Sequence, residues 1–246
     1  VQTCALPICS GGREHALAKA LVESASCARI VAAPGNPGIC ARAECVAVDI
    51  SDFSAVTRLC EQEEIDVVVV GPDQSLADGI ADELRSNGIP VFGPSRAAAR
   101  IEWSKSFSKE LMLEAGIPTA SYRRFSAADE ADALEYVCHH SLPVVIKADG
   151  LALGKGVVVA TTHEEACDAV RDMFGGAFKD AGSTIVVEEF LHGEEASVFA
   201  ISDGEHFVTL AAAQDHKRAL DGDLGKNTGG MGSFAPAAIR SEEHTS

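Results

Sequence analysis

From residue 10 onward the chain alternates apolar and polar positions in two rhythms. Leu17 and Leu21, four apart, place a helix over 16–22 behind the glycine turn Gly11-Gly12. Residues 29–32 read as a strand that ends in the loop Pro34-Gly35-Asn36-Pro37-Gly38. A helix over 52–63 turns Phe53, Val56 and Leu59 inward. The continuous apolar run 65–70 has the character of a strand buried on both faces, with Gly71-Pro72-Asp73-Gln74-Ser75 at its carboxyl end. A helix around 76–86, a short strand at 90–92 and helices over 95–101 and 104–115 continue the alternation. This predicts a parallel α/β domain to about Gly93. Gly116-Ile117-Pro118 then ends the last helix and opens a second unit.

From Tyr122 the rhythm changes. A strand there, a helix over 127–138, strands at 144–146 and 157–159, a helix near 164–173, and strands at 184–188, 196–202 and 206–212 describe an α+β domain. Between the two β-branched runs lies a loop rich in Gly and Lys. Lys147 ends the first strand, Gly150, Gly154 and Gly156 let the loop backbone approach a ligand, and Lys155 stands beside them. Such a loop offers N–H and ammonium groups to phosphate oxygens. It is not a Walker A loop, because no Ser or Thr follows Gly154-Lys155 and a strand comes next where a helix should start. An ordinary glycine-rich hairpin is the alternative reading. The glycine turn at Gly11-Gly12, opening a helix and followed by Arg13, is a second candidate anion site. No acidic residue closes the strand at 29–32, which argues against a dinucleotide-dependent oxidoreductase.

Composition narrows the partners. The 246 residues are 46% hydrophobic, enough for a buried core in one large or two ordinary domains, and the formal net charge is −17. That charge disfavours a general nucleic-acid or anionic-membrane surface, so a phosphate ligand requires a local arrangement of Lys and backbone N–H groups. Eight cysteines occur without CxxC pairs, and the expectation is free thiols in a reducing cytosol. Cys138 and Cys167 are expected as core or half-buried residues, and His139-His140 as a surface or helix-end feature. Metal ligands are not apparent. The two ends are a separate matter. VQTCALPI at 1–8 and RSEEHTS at 240–246 can be encoded by stretches of DNA that are reverse complements over their shared length and look like a common sequencing adapter. Residues 1–9 and 240–246 are therefore expected to be non-native, with Gly the expected native residue at Cys9 and the first strand compromised.

The ordered set SGGREHA, APGNPG, VVGPDQSL, FGPS, SKSFSKELM, VVIKADGLALGKGV, VEEFLHGEEAS, QDHKR and NTGGMGSFAP resembles the glycinamide ribonucleotide synthetase (phosphoribosylamine-glycine ligase) family of ATP-grasp enzymes, across 10–239. The resemblance implies an N-terminal parallel, Rossmann-like α/β domain over 10–103 that binds substrate, and an incomplete α+β ATP-grasp domain over 104–239. It implies a cytoplasmic ligase of purine biosynthesis joining glycine to 5-phosphoribosylamine, with ATP and Mg2+ (or Mn2+) as cofactors and neither nucleic acid nor membrane as partner. Lys105 and Lys147 would contact the ATP phosphates under the loop Gly150, Gly154, Lys155 and Gly156. Glu188, Phe190 and Leu191 would meet adenine, and Glu195 the ribose. Lys147, Asp215, Lys217 and Arg218 would serve catalysis. Gly11, Gly12, Arg13, Asn36, Gly71, Pro72 and Asp73 would hold the phosphoribosylamine, and Asn227, Thr228, Gly229, Gly230, Met231 and Gly232 would form a substrate loop. Cys9 and Asp73 depart from the family's Gly and Glu. The family's magnesium-binding Glu and Asn would lie beyond Ile239, so this chain by itself is expected to be an inactive nucleotide-binding fragment; another ATP-grasp carboxylate-amine ligase is the remaining alternative.

Overall fold

The computed structural model describes residues 3–152, 156–177, 179–222 and 224–237, with backbone alone at 179, 180, 226 and 227. Two compact units result, Val1–Ser108 and Lys109–Ser246.

The first unit is a five-stranded parallel sheet in the order β3-β2-β1-β4-β5, built from β1 (Thr3–Cys9), β2 (Cys27–Pro34), β3 (Glu44–Cys45), β4 (Val67–Val70) and β5 (Val91–Phe92). Its helices are α1 (Gly12–Glu23), α2 (Pro37–Cys40), α3 (Phe53–Gln62), α4 (Asp73–Asp78), α5 (Ile80–Ser86), α6 (Arg96–Trp103) and α7 (Lys105–Glu114), the last crossing into the second unit. One face of the sheet sends Leu6, Ile8, Val31, Val68 and Val70 against Val56 and Leu59 of α3 and Ile80 and Leu84 of α5. On the other face Ala32 packs with Ala18 of α1 and Ile39 of α2. Both faces are thus covered, which is why β4 reads as unbroken valine. The single helix expected over 76–86 is two helices, because Gly79 takes φ +102° between them.

The first strand is formed and central, contrary to the expectation that it is compromised. Ala5, Leu6 and Ile8 are fully buried, and β1 pairs with β2 on one side and β4 on the other. A middle strand needs small and apolar residues, and CALPI supplies them. Two local defects remain. Pro7 has no N–H to donate, and the ladder to β2 skips Leu6 and Pro7. Cys9 sits at φ 110°, where a Cβ clashes with the backbone. Cys9→Gly is expected to raise stability by about 1–2 kcal/mol, read as a higher urea midpoint of the first unit. A lower midpoint would show that the thiol contributes more than the backbone strain removes.

Free thiols were expected throughout, yet Cys40 and Cys45 form a disulfide. They lie five residues apart where α2 ends and β3 begins, with Cα atoms 5.5 Å apart, inside the range that a disulfide spans without backbone movement. Six cysteines are free.

The second unit carries a four-stranded antiparallel sheet, β6-β9-β7-β8, from β6 (Tyr122–Ser126), β7 (Val144–Ala148), β8 (Val157–Ala160) and β9 (Thr184–Glu189). Helices α8 (Glu130–His139) and α9 (His163–Asp172) cover one face. Val144, Ile146, Ala148, Ile185 and Val187 point to Ala133, Val137, Ala166 and Val170 of those helices. The alternation therefore sends Lys147 and Glu188 to the opposite face. Two ribbons follow: β10 (Ala200–Ser202) with β11 (Phe207–Thr209), and β12 (Gln214–Leu220) with β13 (Leu224–Phe234). The strands expected over 196–202 and 206–212 are shorter than anticipated. Ile201, Phe207 and Val208 of the first ribbon are exposed, as is Phe199 just before it.

The start of α9 is a reciprocal cap. Thr162 Oγ1 accepts from the Glu165 N–H at 3.2 Å, and the Glu165 carboxylate accepts in return from the Thr162 N–H at 3.3 Å and also from the Thr161 N–H at 2.8 Å and hydroxyl at 2.9 Å. These bonds, the Thr161 N–H first, hold the Glu165 carboxyl below its ordinary value of 4.5. Because the folded value is the lower one, the stabilisation is complete above about pH 4.5 and is lost as pH falls through the folded value. The thermal midpoint of the wild type should accordingly exceed that of Glu165→Gln near neutrality and converge with it on acidification. A constant gap would show that the charge plays no part.

Candidate functional site

The second unit brings two lysines to one carboxylate oxygen. Register places Lys147 opposite Val186 and Val145 opposite Glu188, so Lys147 and Glu188 are diagonal neighbours on one face. Lys147 Nζ donates to Glu188 Oε2 at 2.9 Å. Lys109, from α7, lies 3.1 Å from the same oxygen. Lys109 also donates to Thr119 Oγ1 at 2.8 Å and to the Ala120 carbonyl at 3.2 Å, which fills its three N–H positions. The Lys109 and Glu188 side chains are 10% and 5% exposed, while Lys147 is 27% exposed. Glu188 Oε1 is buried and has no hydrogen-bond partner among the described residues. Two cations against one anion leave a net positive charge, with Lys147 as its accessible member. This arrangement can hold an anion at Lys147.

The sequence reading named Lys147 and Glu188 but not Lys109. Its signal was the Lys-x-x-x-Lys spacing of Lys105 and Lys109, one helical turn apart. Lys105 opens α7 in the first unit, half-buried. Glu188, expected from the resemblance to meet adenine with Phe190 and Leu191 at a strand end, is buried in an ion cluster on β9, which lies between β6 and β7. Phe190 and Leu191 follow the strand; Phe190 packs edge-on to His192 and Leu191 is exposed. Gly150 and Gly156 were expected to let a loop close over a ligand. Each is spent on close packing: a Cβ at Gly150 would lie 2.8 Å from the Ala181 Cβ, and one at Gly156 2.6 Å from that of Ala152. Gly154 and Lys155 lie outside the described residues.

The two stretches QDHKR and NTGGMG share one ribbon, the second having been expected as a loop, since Asp215 pairs with Ser233, His216 with Gly232 and Arg218 with Asn227 across β12 and β13. Thr228 Oγ1 donates to the Lys217 carbonyl at 2.9 Å and accepts from the Gly230 N–H at 3.1 Å. Lys217 bonds to Glu195 and stands 3.9 Å from Asp215; Arg218 donates to the Gly225 carbonyl at 2.7 Å. Glu195, assigned to a ribose by resemblance, is thus paired with Lys217. Gly229, Met231 and Gly232 are exposed on β13, and the Asn227 side chain lies outside the described set.

In the first unit Arg13 does not stand free for a phosphate. Its Nε lies 3.3 Å from Glu14 Oε1 and a terminal nitrogen 3.4 Å from Asp73 Oδ1. Glu14, missed in the sequence reading, is buried, and its carboxylate accepts the Gly11 N–H at 2.9 Å. It packs on Gly71, where a Cβ would collide with it. The signal was its place three residues after Gly11, the reciprocal position of a capping box. Asn36 caps α2, accepting from the Ile39 N–H at 2.9 Å and donating to the Ser10 carbonyl at 2.9 Å. Pro72 and Asp73 open α4, and Gly12 has open space around its Cα. Gly11, Gly12, Arg13, Asn36, Gly71 and Asp73 are therefore gathered at the carboxyl ends of β1, β2 and β4, where parallel sheets bind ligands.

A doubly wound N-terminal unit followed by an antiparallel sheet with a lysine-carboxylate cluster defines an ATP-grasp protein. A model of the phosphoribosylglycinamide synthetase N domain matches residues 5–102, and one of its ATP-grasp (A) domain matches 103–246. The chain belongs to the phosphoribosylglycinamide synthetase family. A phosphoribosylamine–glycine ligase of Mesorhizobium japonicum is 54% identical over 234 residues, covering 95% of this chain and 55% of the relative. The crystal structure of the phosphoribosylamine–glycine ligase of Thermotoga maritima superposes with a TM-score of 0.79 at 32% identity, over 96% of this chain and 56% of that one. An N5-carboxyaminoimidazole synthase from Aspergillus clavatus, solved with ADP and 5-aminoimidazole ribonucleotide, shares the fold at TM-score 0.71 and 17% identity, over 98% of this chain and 59% of that one. The chain spans about half the length of the curated relatives it matches. Among the described residues no helix is long and apolar enough to cross a membrane.

Proposed function

We propose that this chain carries the substrate-binding and part of the nucleotide-binding machinery of a ligase that joins glycine to 5-phosphoribosylamine, converting ATP to ADP and phosphate. A carboxylate is a poor acyl donor because an oxide would have to leave. Transfer of the γ-phosphoryl group to glycine makes glycyl phosphate, the amine of phosphoribosylamine attacks its carbonyl, and phosphate departs. The protein's share is positioning and charge neutralisation. The observation that carries this reading is the Lys109–Glu188–Lys147 cluster, with its net positive charge and its unpartnered buried oxygen. Lys147 faces the phosphates, and the chain that leaves β9 at Phe190 and Leu191 meets the adenine. Asp215, Lys217 and Arg218, with Thr228 to Gly232 across the ribbon, orient the amino acid, and Glu195 exchanges Lys217 for a ribose hydroxyl. The turns at Gly11-Gly12, Asn36 and Gly71-Pro72-Asp73 hold the sugar phosphate.

ATP-grasp chemistry of this kind uses magnesium to neutralise the nucleotide phosphates. Among the described residues no group of three or more His, Cys, Asp or Glu could hold a metal ion, and Glu188 is already committed to two lysines. No step is derived through the metal.

The test is ADP release with ATP, magnesium, freshly generated phosphoribosylamine and a panel of amino acids, run on the purified chain with and without the C-terminal half of the Mesorhizobium relative. ADP that depends on both glycine and phosphoribosylamine in the supplemented sample supports the reading. ADP that depends on a different acid or amine would replace it with another ATP-grasp ligase.

A further inference from the structure

Two free cysteines outside the candidate site meet between the helices that back the second sheet. The Sγ atoms of Cys138, in the last turn of α8, and Cys167, in the middle of α9, are 3.1 Å apart. We propose that Cys138 and Cys167 form a dithiol site that a low-molecular-weight disulfide, such as oxidised glutathione, converts to an intramolecular disulfide bridging α8 and α9.

The helices are already held in register for this bond. Val137 and Ala133 of α8 share a core with Ala166 and Val170 of α9, and the Val137 carbonyl lies 3.0 Å from His163 Nδ1 at the start of α9. Closing the sulfur separation to a covalent bond takes a movement of about 1 Å. The two thiols also differ in access. Cys138 is exposed and Cys167 buried. Burial, and then the bond to Cys138, raises the Cys167 thiol above its ordinary value, so it stays protonated at neutral pH. The order of events follows. Cys138 as thiolate attacks one sulfur of oxidised glutathione, forming a mixed disulfide and expelling a glutathione thiolate. The Cys167 sulfur then attacks the Cys138 sulfur, the second glutathione leaves as thiolate, and the Cys167 proton is taken up by that leaving group. The sum is two protein thiols and one oxidised glutathione giving one protein disulfide and two reduced glutathiones. The other free thiols with described contacts face oxygen: Cys4 the Glu63 carbonyl at 4.0 Å and Cys27 the Arg29 carbonyl at 3.4 Å.

The experiment incubates the purified chain with oxidised glutathione, maps disulfides in unreduced peptides by mass spectrometry, and records thermal midpoints. The expected product is the Cys138–Cys167 linked peptide. Cross-linking positions 29 residues apart should raise the midpoint of the second unit by about 10 °C, a shift absent in Cys138→Ser. In Cys167→Ala the second step is lost, and a Cys138–glutathione adduct should accumulate. A stable adduct at Cys138 in the wild type with Cys167 unreacted overturns the proposal, as does recovery of both thiols unmodified. The readout involves neither nucleotide nor ligase activity and stands apart from the proposed function.

Discussion

Lys109→Met is expected to lower the unfolding free energy of the second unit by about 3–5 kcal/mol, the usual penalty for stripping one partner from a buried ion pair. The pair is buried on both sides, and Glu188 Oε1 already lacks a partner among the described residues. With Met at 109 the carboxylate keeps only Lys147, the more exposed of its two cations, and Thr119 Oγ1 and the Ala120 carbonyl lose their donor. Both tyrosines, Tyr122 and Tyr136, belong to this unit and the single tryptophan, Trp103, to the other, so urea melts followed by tyrosine and tryptophan emission separate the two. At about 1–3 kcal/mol per molar urea, the tyrosine midpoint should fall by at least about 1 M and the tryptophan midpoint should hold. Adding Glu188→Gln to Lys109→Met removes the stranded charge and should recover more than half of the loss. If the double variant is as unstable as the two single losses added together, the residues are not coupled.

This cluster also marks how far the sequence could be read. The β-branched and apolar runs around Val144, Val157 and Thr184 placed the strands, and it is the structure's register that puts Lys147 and Glu188 on one face. The pairing of β9 between β6 and β7 is a long-range choice that no local pattern encodes, so the burial of Glu188 was not legible. Lys109 was hidden for the same reason: on a short helix a lysine reads as solvated until the strand it faces is known. The ribbon of β12 and β13 was missed because six residues of Asn, Thr, Gly and Met carry turn chemistry and little strand propensity, and what pairs them is the opposing QDHKR segment. In the first unit, the residues set aside as foreign at 3–9 make the central strand. A strand buried on both faces specifies little beyond apolar character, so CALPI serves, and its unsuited residues show as a skipped ladder at Pro7 and a positive φ at Cys9. Glycines named for ligand approach carry a packing demand that the sequence did not reveal: Gly71 makes room for Glu14 and Gly150 for Ala181.

The same cluster separates a structural lysine from a binding one. Lys147→Ala should leave the fold nearly intact, because Glu188 keeps Lys109 and the Lys147 side chain is already partly hydrated. It changes the sum of the three charges from positive to zero. A charge-assisted hydrogen bond to a phosphate oxygen contributes about 1.5–3 kcal/mol, so ATP affinity measured by titration calorimetry should fall by about 10–100-fold. The loss should shrink as salt is added, since part of it is long-range attraction. Lys147→Arg keeps the charge and should retain most of the affinity. Lys109→Met, at urea concentrations where it remains folded, should bind ATP more nearly like the wild type, because Lys109 has no N–H left for a ligand. An Ala variant that is stable and binds ATP normally would remove Lys147 from the nucleotide site. One that melts like Lys109→Met would make it a second structural lysine, and the positive charge on this face would then serve the fold and not a phosphate.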